Sequence, residues 1–151
     1  MVQGKFLSGQ DELNVIKEIR RQVFADPECW EDELDGRCMH VVAVQGDQVV
    51  ACGRIFYDGF ECEISNVAVL PAYQRQKFGD FVVRMLIDKA VMSGVDEIRL
   101  EAPEAVCGFF EKIGFRATTE QTEHENASGC IEMMLKKDQI YKCCGCHDSG
   151  Q

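Results

Sequence analysis

The feature that most constrains the fold of this chain is an apolar run that ends in a short basic loop and passes directly into a helix. Ile64–Leu70 is rich in apolar and β-branched residues and predicts a strand, and helical spacing of apolar side chains follows Gly79. The loop between them contains Arg75 and Lys77. A strand that leads through such a loop into a helix is typical of phosphate sites, because loop N–H groups and the positive end of the helix dipole converge there.

The charge pattern favours an anionic ligand at this loop. No acidic residue occurs from Ile64 to Gly79, although the chain has 26 of them and a formal net charge of −10. A protein of this charge repels nucleic acid and acidic membranes, so neither is expected as a partner. It favours cationic partners such as amines, and an anionic ligand needs a local basic island, which this stretch supplies.

Length predicts a single domain, and the order of the predicted elements gives that domain an α/β class of mixed α+β type. The chain has 151 residues, of which 46% are hydrophobic and 28% charged, and this is typical of a soluble globule. We predict one domain over residues 1–137 and a cysteine-rich tail over 138–151. No run approaches the roughly 20 apolar residues of a membrane span. The N-terminus lacks the apolar segment of a signal peptide, which predicts a cytoplasmic protein.

Hydrophobic periodicity predicts a mixed central sheet covered by helices. Asp58-Gly59 is a hairpin signal within a three-strand antiparallel meander. The strand–helix–strand crossover from Ile64 to Ala102 predicts a parallel pair. The predicted helices are 11–24, 80–93 and 103–114, and the predicted strands are 39–44, 49–57, 61–70, 97–102, 115–119 and 130–135.

The nine cysteines indicate reduced thiols, because their number is odd and no secretion signal accompanies them. Cys52 and Cys62 lie in apolar runs and are expected in the core. The tail contains Cys143, Cys144, Cys146 and His147, a C-x-x-C-H pattern that is typical of c-type haem attachment but requires secretion. The same residues could bind zinc or iron, yet the cysteines are too close in sequence to complete a tetrahedron easily. We predict no metal site.

Two segments of the chain resemble the GNAT superfamily of acyl-CoA-dependent N-acyltransferases. NVAVLPAYQRQKFG matches the family's Gln/Arg-x-x-Gly-x-Gly/Ala phosphate loop, with Gln74 in the first position and Gly79 in the last. Phe109–Phe115, FFEKIGF, is similar to a later segment of the family. The resemblance covers roughly residues 5–137. Its N-terminal half is similar to a bacterial subgroup of unassigned substrate.

The resemblance implies acetyl-CoA as co-substrate and a primary amine of a small molecule or peptide as acceptor. The strand that carries Val67, Ala68 and Val69 would splay from its neighbour and hydrogen-bond the pantetheine arm. The pyrophosphate would lie on the loop and helix start formed by Gln74, Arg75, Gln76, Lys77, Phe78, Gly79 and Asp80.

A homodimer is a further expectation.

Five positions depart from the family pattern: Lys77 in the phosphate loop, and Pro103, Val106, Phe109 and Phe110 in the family's Asn-x-x-Ala-x-x-Leu-Tyr segment. Lys77 replaces a glycine that lets the backbone approach the phosphates closely. Phe110 replaces a tyrosine that often protonates the departing CoA thiolate in the family, and phenylalanine cannot do this. An alternative function is therefore an acyl-CoA sensor or regulatory module without turnover. Tyr57 and Tyr73 are candidate replacement donors, although packing is the expected role of Tyr73.

Glu63 is the candidate general base, because some family members carry a catalytic glutamate at the matching position. Period-2 alternation would place Glu63, Ser65, Val67 and Val69 on one face of the strand. The alternative is a solvated charge at the strand end.

Five acidic residues of the 28–37 segment could draw a cationic amine or simply form a solvated loop. They are Glu28, Glu31, Asp32, Glu33 and Asp35.

Three further residues with reactive side chains are expected to be structural or solvated. His40 starts a predicted strand, and His124 lies in a polar segment. Cys107 would lie near the thiol end of the cofactor by resemblance, where it could be an acid or acyl carrier. A cysteine that packs a helix is the preferred interpretation.

Overall fold

The computed structural model describes residues 2–7, 13–59, 61–118, 130–136 and 138. These ranges contain strands, α-helices and short 3₁₀ turns, the turns at Pro27–Cys29, Asp35–Arg37, Pro71–Tyr73 and Glu104–Val106. The strands are β1 Val2–Leu7, β2 Met39–Gln45, β3 Gln48–Asp58, β4 Glu61–Val69, β5 Glu97–Pro103, β6 Arg116–Ala117 and β7 Cys130–Lys136. The helices are α1 Leu13–Val23, α2 Phe78–Met92 and α3 Cys107–Ile113.

The strands form a mixed seven-stranded sheet in the order β1-β2-β3-β4-β5-β7-β6. β2 pairs with β1 and β3 in antiparallel fashion, and β7 pairs with β5 and β6 in the same way. β4 and β5 are parallel, with Glu61–Glu63 in register with Glu97–Arg99. The predicted mixed α+β class and the parallel crossover are confirmed. Among the described residues, no helix is long and apolar enough to cross a membrane.

The chain divides into two compact units. The first comprises Met1–Tyr57 and Ile64–Lys89. On the side of the sheet that α1 covers, this unit contains a buried apolar cluster, the α1-side cluster. It includes Ile16 and Ile19 of α1, Cys52 of β3 and Ala68 of β4. α1 also buries one charged residue, Arg20, which is 1% exposed.

The second unit comprises Asp58–Glu63 and Ala90–Gln151. Here α2 ends in a Schellman motif: Gly94 has φ of 80°, its N–H donates to Val91 O at 3.1 Å, and Val95 N–H donates to Ala90 O at 3.3 Å. The predicted role of Gly94 is confirmed. α3 buries Phe110, whose ring lies edge-on to Phe115 at 5.9 Å between ring centroids.

The structure corrects three predicted elements. α3 begins at Cys107 rather than at Pro103, since Pro103 still belongs to β5 and Glu104–Val106 form a 3₁₀ turn. β1 was not predicted, and it pairs with β2 along its whole length, from Val2–Gln45 to Leu7–His40. α2 begins at Phe78 rather than at Asp80, because Phe81 N–H already closes a helical turn on Lys77 O at 3.0 Å. The Phe78 side chain is buried, and its packing holds this first helical turn in place.

Candidate functional site

The basic loop before α2 has an unusual backbone. Arg75 and Lys77 both adopt left-handed conformations, with φ of 65° and 69°. Gln74, directly before them, is extended, with φ of −67° and ψ of 155°. Each left-handed residue that is not glycine costs on the order of 1–2 kcal/mol, so the surrounding structure must hold this loop in place.

Side-chain contacts inside the first unit provide that support. Gln74 Nε2 donates to Val69 O at 3.1 Å, and Gln76 Nε2 donates to Ala72 O at 3.4 Å. On either side of the loop, the Tyr73 and Phe78 rings pack edge to face with centroids 5.9 Å apart. The loop is thereby tied both to the end of β4 and to the start of α2.

The loop and the helix start can bind an anion. Turns with left-handed residues form concave nests of backbone N–H groups, and the first N–H groups of a helix have no acceptor within it. Arg75 and Lys77 are exposed and add positive charge at this point. Asp80 in the first turn would oppose an anion, but Arg84 Nε donates to its carboxylate at 2.9 and 3.1 Å and offsets that charge.

β4 contains a backbone irregularity just before the predicted pantetheine segment. Asn66 has φ of 52°, a left-handed conformation inside a strand. Ser65 Oγ accepts a hydrogen bond from Arg54 Nε at 2.7 Å. Val67 lies on the other face, since a Cβ added at Gly53 would be 3.4 Å from Val67 Cγ2 and 2.8 Å from Val82 Cγ1 of α2. Ser65 and Val67 are therefore not on one face, and the alternation predicted across this strand is wrong.

Val67, Ala68 and Val69 occupy the end of β4 in the first unit. Ala68 is 2% exposed in the α1-side cluster, whereas Val67 and Val69 are half-buried. Ala68 and Phe78 are buried side chains, so their contact with a cofactor would be through the backbone. The assignment of these residues to cofactor binding remains a prediction.

Glu63 lies in the second unit, in the first half of β4. It is exposed between buried Cys62 and Ile64, and it stands in register with Arg99 of β5. Exposure of the carboxylate is compatible with a role in proton transfer, and that role remains a prediction.

A buried ion-pair network in the first unit was not predicted. Arg54 of β3 donates to Asp32 through Nη1 at 2.6 Å and Nη2 at 2.8 Å, and to Asp35 Oδ1 through Nη1 at 2.8 Å. Arg20 of α1 donates to both oxygens of the Asp35 carboxylate at 2.9 and 3.0 Å. Trp30 O accepts a further bond from Arg20 at 3.1 Å. A charged residue on the apolar stripe of a helix, as Arg20 is, was the sequence signal for it.

The network alters the ionisation of its members. The hydrogen bond from Arg54 holds the pKa of Asp32 below its usual value. Burial alone would raise the pKa of Asp35, but the hydrogen bond and the charge of Arg20 outweigh it, so that pKa is also lowered. Both carboxylates are thus ionised and paired with arginines. Asp35 is buried, whereas Asp32, Glu28 and Glu33 are exposed, and the attraction of a cationic amine by this acidic segment remains a prediction.

His40 and Cys107 have structural contacts. His40 is 1% exposed, and its Nε2 lies 2.8 Å from Asp35 O, while burial lowers its pKa. The Cys107 thiol is buried and lies 3.5 Å from Pro103 O, and burial raises its pKa. Tyr73 packs on Phe78, and its hydroxyl donates to Gln48 Oε1 at 3.0 Å. His124 and the cysteines of the tail lie outside the described residues.

Comparison with known proteins identifies the family of this chain. The model of the acetyltransferase (GNAT) family matches residues 10–115. The chain therefore belongs to the GNAT family of acetyltransferases, and it is an acyltransferase.

Three similar proteins share less than a quarter of their aligned residues with this chain. A protein of Bacillus subtilis (strain 168) with the name "Putative acetyltransferase" is 24% identical over 125 residues, which cover 78% of this chain and 85% of that protein. The Escherichia coli ribosomal-protein-S18-alanine N-acetyltransferase has a TM-score of 0.69 at 23% identity, covering 89% of this chain and 94% of its own. A Bacillus subtilis acetyltransferase solved in complex with CoA has a TM-score of 0.70 at 20% identity, covering 90% and 99%.

Proposed function

We propose that this chain transfers an acetyl group from acetyl-CoA to a primary amine of a small molecule or peptide. The observation that carries the proposal is the pair of left-handed basic residues, Arg75 and Lys77, at the N-terminus of α2. Such strain is tolerated at ligand sites, where it aims backbone N–H groups at the ligand. The pyrophosphate of acetyl-CoA is the ligand that fits a basic nest of this kind.

In this proposal, two nearby segments of the chain bind different parts of the cofactor. The loop and helix start, from Gln74 to Asp80, bind the pyrophosphate. The backbone of Val67–Val69 hydrogen-bonds the pantetheine arm. Binding along an extended strand positions the thioester by backbone contacts, which requires no particular side chain at Val67 or Val69.

Glu63 is the proposed general base. A lysine-like amine has a pKa of about 10.4, so the neutral form at pH 7 costs on the order of 4.6 kcal/mol. Glu63 accepts the proton, directly or through water, as the amine nitrogen attacks the thioester carbonyl carbon. The carbon–sulfur bond then breaks, and the CoA thiolate takes a proton. Phe110 has no proton to give, so another donor or water must supply it.

Calorimetric titration of acetyl-CoA and of CoA, with a thiol-release assay over a panel of amines, tests the proposal directly. Binding of acetyl-CoA together with amine-dependent release of CoA is the expected result. Binding without release from any amine would favour the acyl-CoA sensor instead. An absence of binding would contradict the assignment of the loop.

Two substitutions separate the proposed roles. Glu63→Gln should lower kcat near neutral pH while the affinity for acetyl-CoA is kept, and the deficit should narrow at high pH, where the amine loses its proton unaided. Gly79→Asp should abolish acetyl-CoA binding, because it puts a carboxylate among the N–H groups of the helix start, and Gly79→Asn is its neutral control. Equal kcat of wild type and Glu63→Gln from pH 6 to 9 would remove Glu63 from the mechanism.

A further inference from the structure

The buried network described above ends on the residue that precedes the strained position of β4. The Arg54 guanidinium uses all three nitrogens: Nη1 and Nη2 bond to Asp32, Nη1 also bonds to Asp35, and Nε bonds to Ser65 Oγ at 2.7 Å. Arg54 is 5% exposed. A planar guanidinium held by two carboxylates has a fixed direction for its remaining donor, and here that donor points at Ser65.

The conformation of Asn66 depends on where Ser65 is held. Between Ser65 and Val67 the strand changes face, and the left-handed φ of 52° at Asn66 makes that change. Asparagine tolerates this conformation better than most residues, but a strand would still relax to regular pleating without a restraint on each side. Val67 is restrained by its packing beside Gly53 and Val82. Ser65 is restrained by its hydrogen bond to a charged donor.

We propose that Arg54, acting through Ser65, is a positioning residue that sets the backbone of Val67–Val69 for the acyl donor. This inference rests on the proposed function, because it takes Val67–Val69 as the pantetheine segment. Irregularities of this kind re-aim a strand next to active sites. In this chain the irregularity is held by a side-chain hydrogen bond from a neighbouring strand rather than by a glycine.

The network also reaches the acidic segment and α1. Asp35 is shared by Arg54 and Arg20, and its backbone oxygen lies 2.8 Å from His40 Nε2. Asp32 accepts the forked pair from Arg54 at 2.6 and 2.8 Å. The Arg54 guanidinium therefore contacts both the segment around Asp32 and Asp35 and the strand β4. A substitution at Ser65 removes only the contact with β4 and leaves Arg54 paired with the two carboxylates.

The experiment compares Ser65→Ala with Ser65→Thr. Ser65→Ala removes the acceptor of Arg54 Nε and leaves both carboxylates in place, and Ser65→Thr keeps a hydroxyl. We expect Ser65→Ala to raise the KM for acetyl-CoA on the order of tenfold, since a hydrogen bond to a charged group is lost. The KM for the amine should stay near its wild-type value, and Ser65→Thr should restore most of the affinity for acetyl-CoA.

A matched control separates positioning from loss of stability. Val95→Ala truncates a buried residue of the second unit and should lower Tm without altering the KM for acetyl-CoA. Amide hydrogen exchange of the ligand-free protein gives an independent readout: exchange at 67–69 should accelerate in Ser65→Ala and not in Val95→Ala. Wild-type KM and exchange in Ser65→Ala would overturn the inference.

These measurements also distinguish failure of the inference from failure of the proposed function. If wild-type protein does not bind acetyl-CoA in calorimetry, the proposed function fails and the pantetheine role of Val67–Val69 falls with it. The exchange comparison still decides whether Arg54 and Ser65 set the backbone of β4. If wild-type protein binds acetyl-CoA and Ser65→Ala binds it equally well, only the positioning role of Arg54 is lost.

Discussion

Gly53 and Val82 are in direct apposition: a Cβ added at Gly53 of β3 would lie 2.8 Å from Val82 Cγ1 of α2. It would also lie 3.0 Å from Leu86 Cδ1, and both valine and leucine are fully buried. The helix thus approaches the strand to a distance that only glycine permits. Val67 contacts the same point, so this approach also sets the packing beside the proposed pantetheine segment.

Gly53→Ala should destabilise the protein by about 1–3 kcal/mol, because a fully buried methyl group has no space among stiff, branched neighbours. Chemical denaturation measures the change. The double variant Gly53→Ala/Val82→Ala should be less destabilised than the sum of the two single variants, since the truncated valine makes room for the new methyl group. Additive effects would show that the two residues do not compete for this space.

Lys77→Gly should raise stability while weakening the binding of CoA. Glycine relieves the left-handed strain that Lys77 has at φ of 69°. Glycine also has more conformational freedom in the unfolded chain, which opposes folding, so the net increase in the free energy of unfolding is roughly 0.5–1 kcal/mol. Loss of an exposed charge should weaken CoA binding about two- to fivefold.

Lys77→Gln is the matched control for this prediction, since it removes the charge and keeps the strain. Its CoA affinity should fall as in Lys77→Gly, whereas its Tm should stay near that of the wild type. Thermal melts and calorimetric titration in low and high salt measure both effects. A glycine variant that binds CoA more tightly than the wild type would mean that Lys77 crowds the site.

Most elements of the sheet could be predicted because their signals are local. The β3–β4 hairpin and the start of β5 follow from alternating apolar residues and turn residues such as Asp58-Gly59. β1 was not predicted, since Gly4 interrupts its pattern. In the structure this glycine faces α2, and a Cβ there would overlap Met85 Sδ and lie 3.1 Å from Phe81 Cε1. A residue that looks unfavourable in a strand thus lies in tight contact with a helix about 80 positions later, where an added side chain would force Met85 to move.

The candidate site divides in the same way. The basic loop could be predicted from its charge and its place between strand and helix, and its strained φ values at Arg75 and Lys77 agree with an unusual turn. The pairing of Asp32 and Asp35 could not be predicted, because both carry the same negative charge as Glu31 and Glu33 beside them. Their partner on β3 is Arg54, 22 and 19 positions away in the chain.

Stability should fall on acidification in two steps that the buried network defines. Burial lowers the pKa of His40 in the folded protein, so on acidification the unfolded chain binds a proton at this residue before the folded protein does. The free energy of unfolding that neutral His40 contributes is complete above pH 6.5, the ordinary pKa of histidine. It is lost as the pH falls toward the lower pKa of the folded state. The pKa values of Asp32 and Asp35 are also lowered, and their contribution is present above 3.8 and is lost as pH falls further. Tm should therefore decline from about pH 6.5 downward and steepen below about pH 4.

His40→Gln isolates the first of these steps. The glutamine amide can still donate to Asp35 O, but it does not titrate, so the decline of Tm between about pH 6.5 and 5 should flatten while the step below pH 4 is retained. Thermal melts of both proteins across this range measure it. Equal slopes in the two proteins would contradict an origin at His40.

Cys52 and Cys62 should be inert toward alkylation in the folded protein. Burial raises the pKa of each thiol to about 12, so at pH 8 only about one in ten thousand is a thiolate, the form that reacts. Cys29, which is half-buried, provides the comparison. Iodoacetamide labelling followed by peptide mass spectrometry should modify Cys29 first, and Cys52 and Cys62 only in guanidinium chloride. Native labelling of Cys52 at the rate seen for Cys29 would show that the α1-side core opens far more often than its packing implies, because this thiol is 0% exposed.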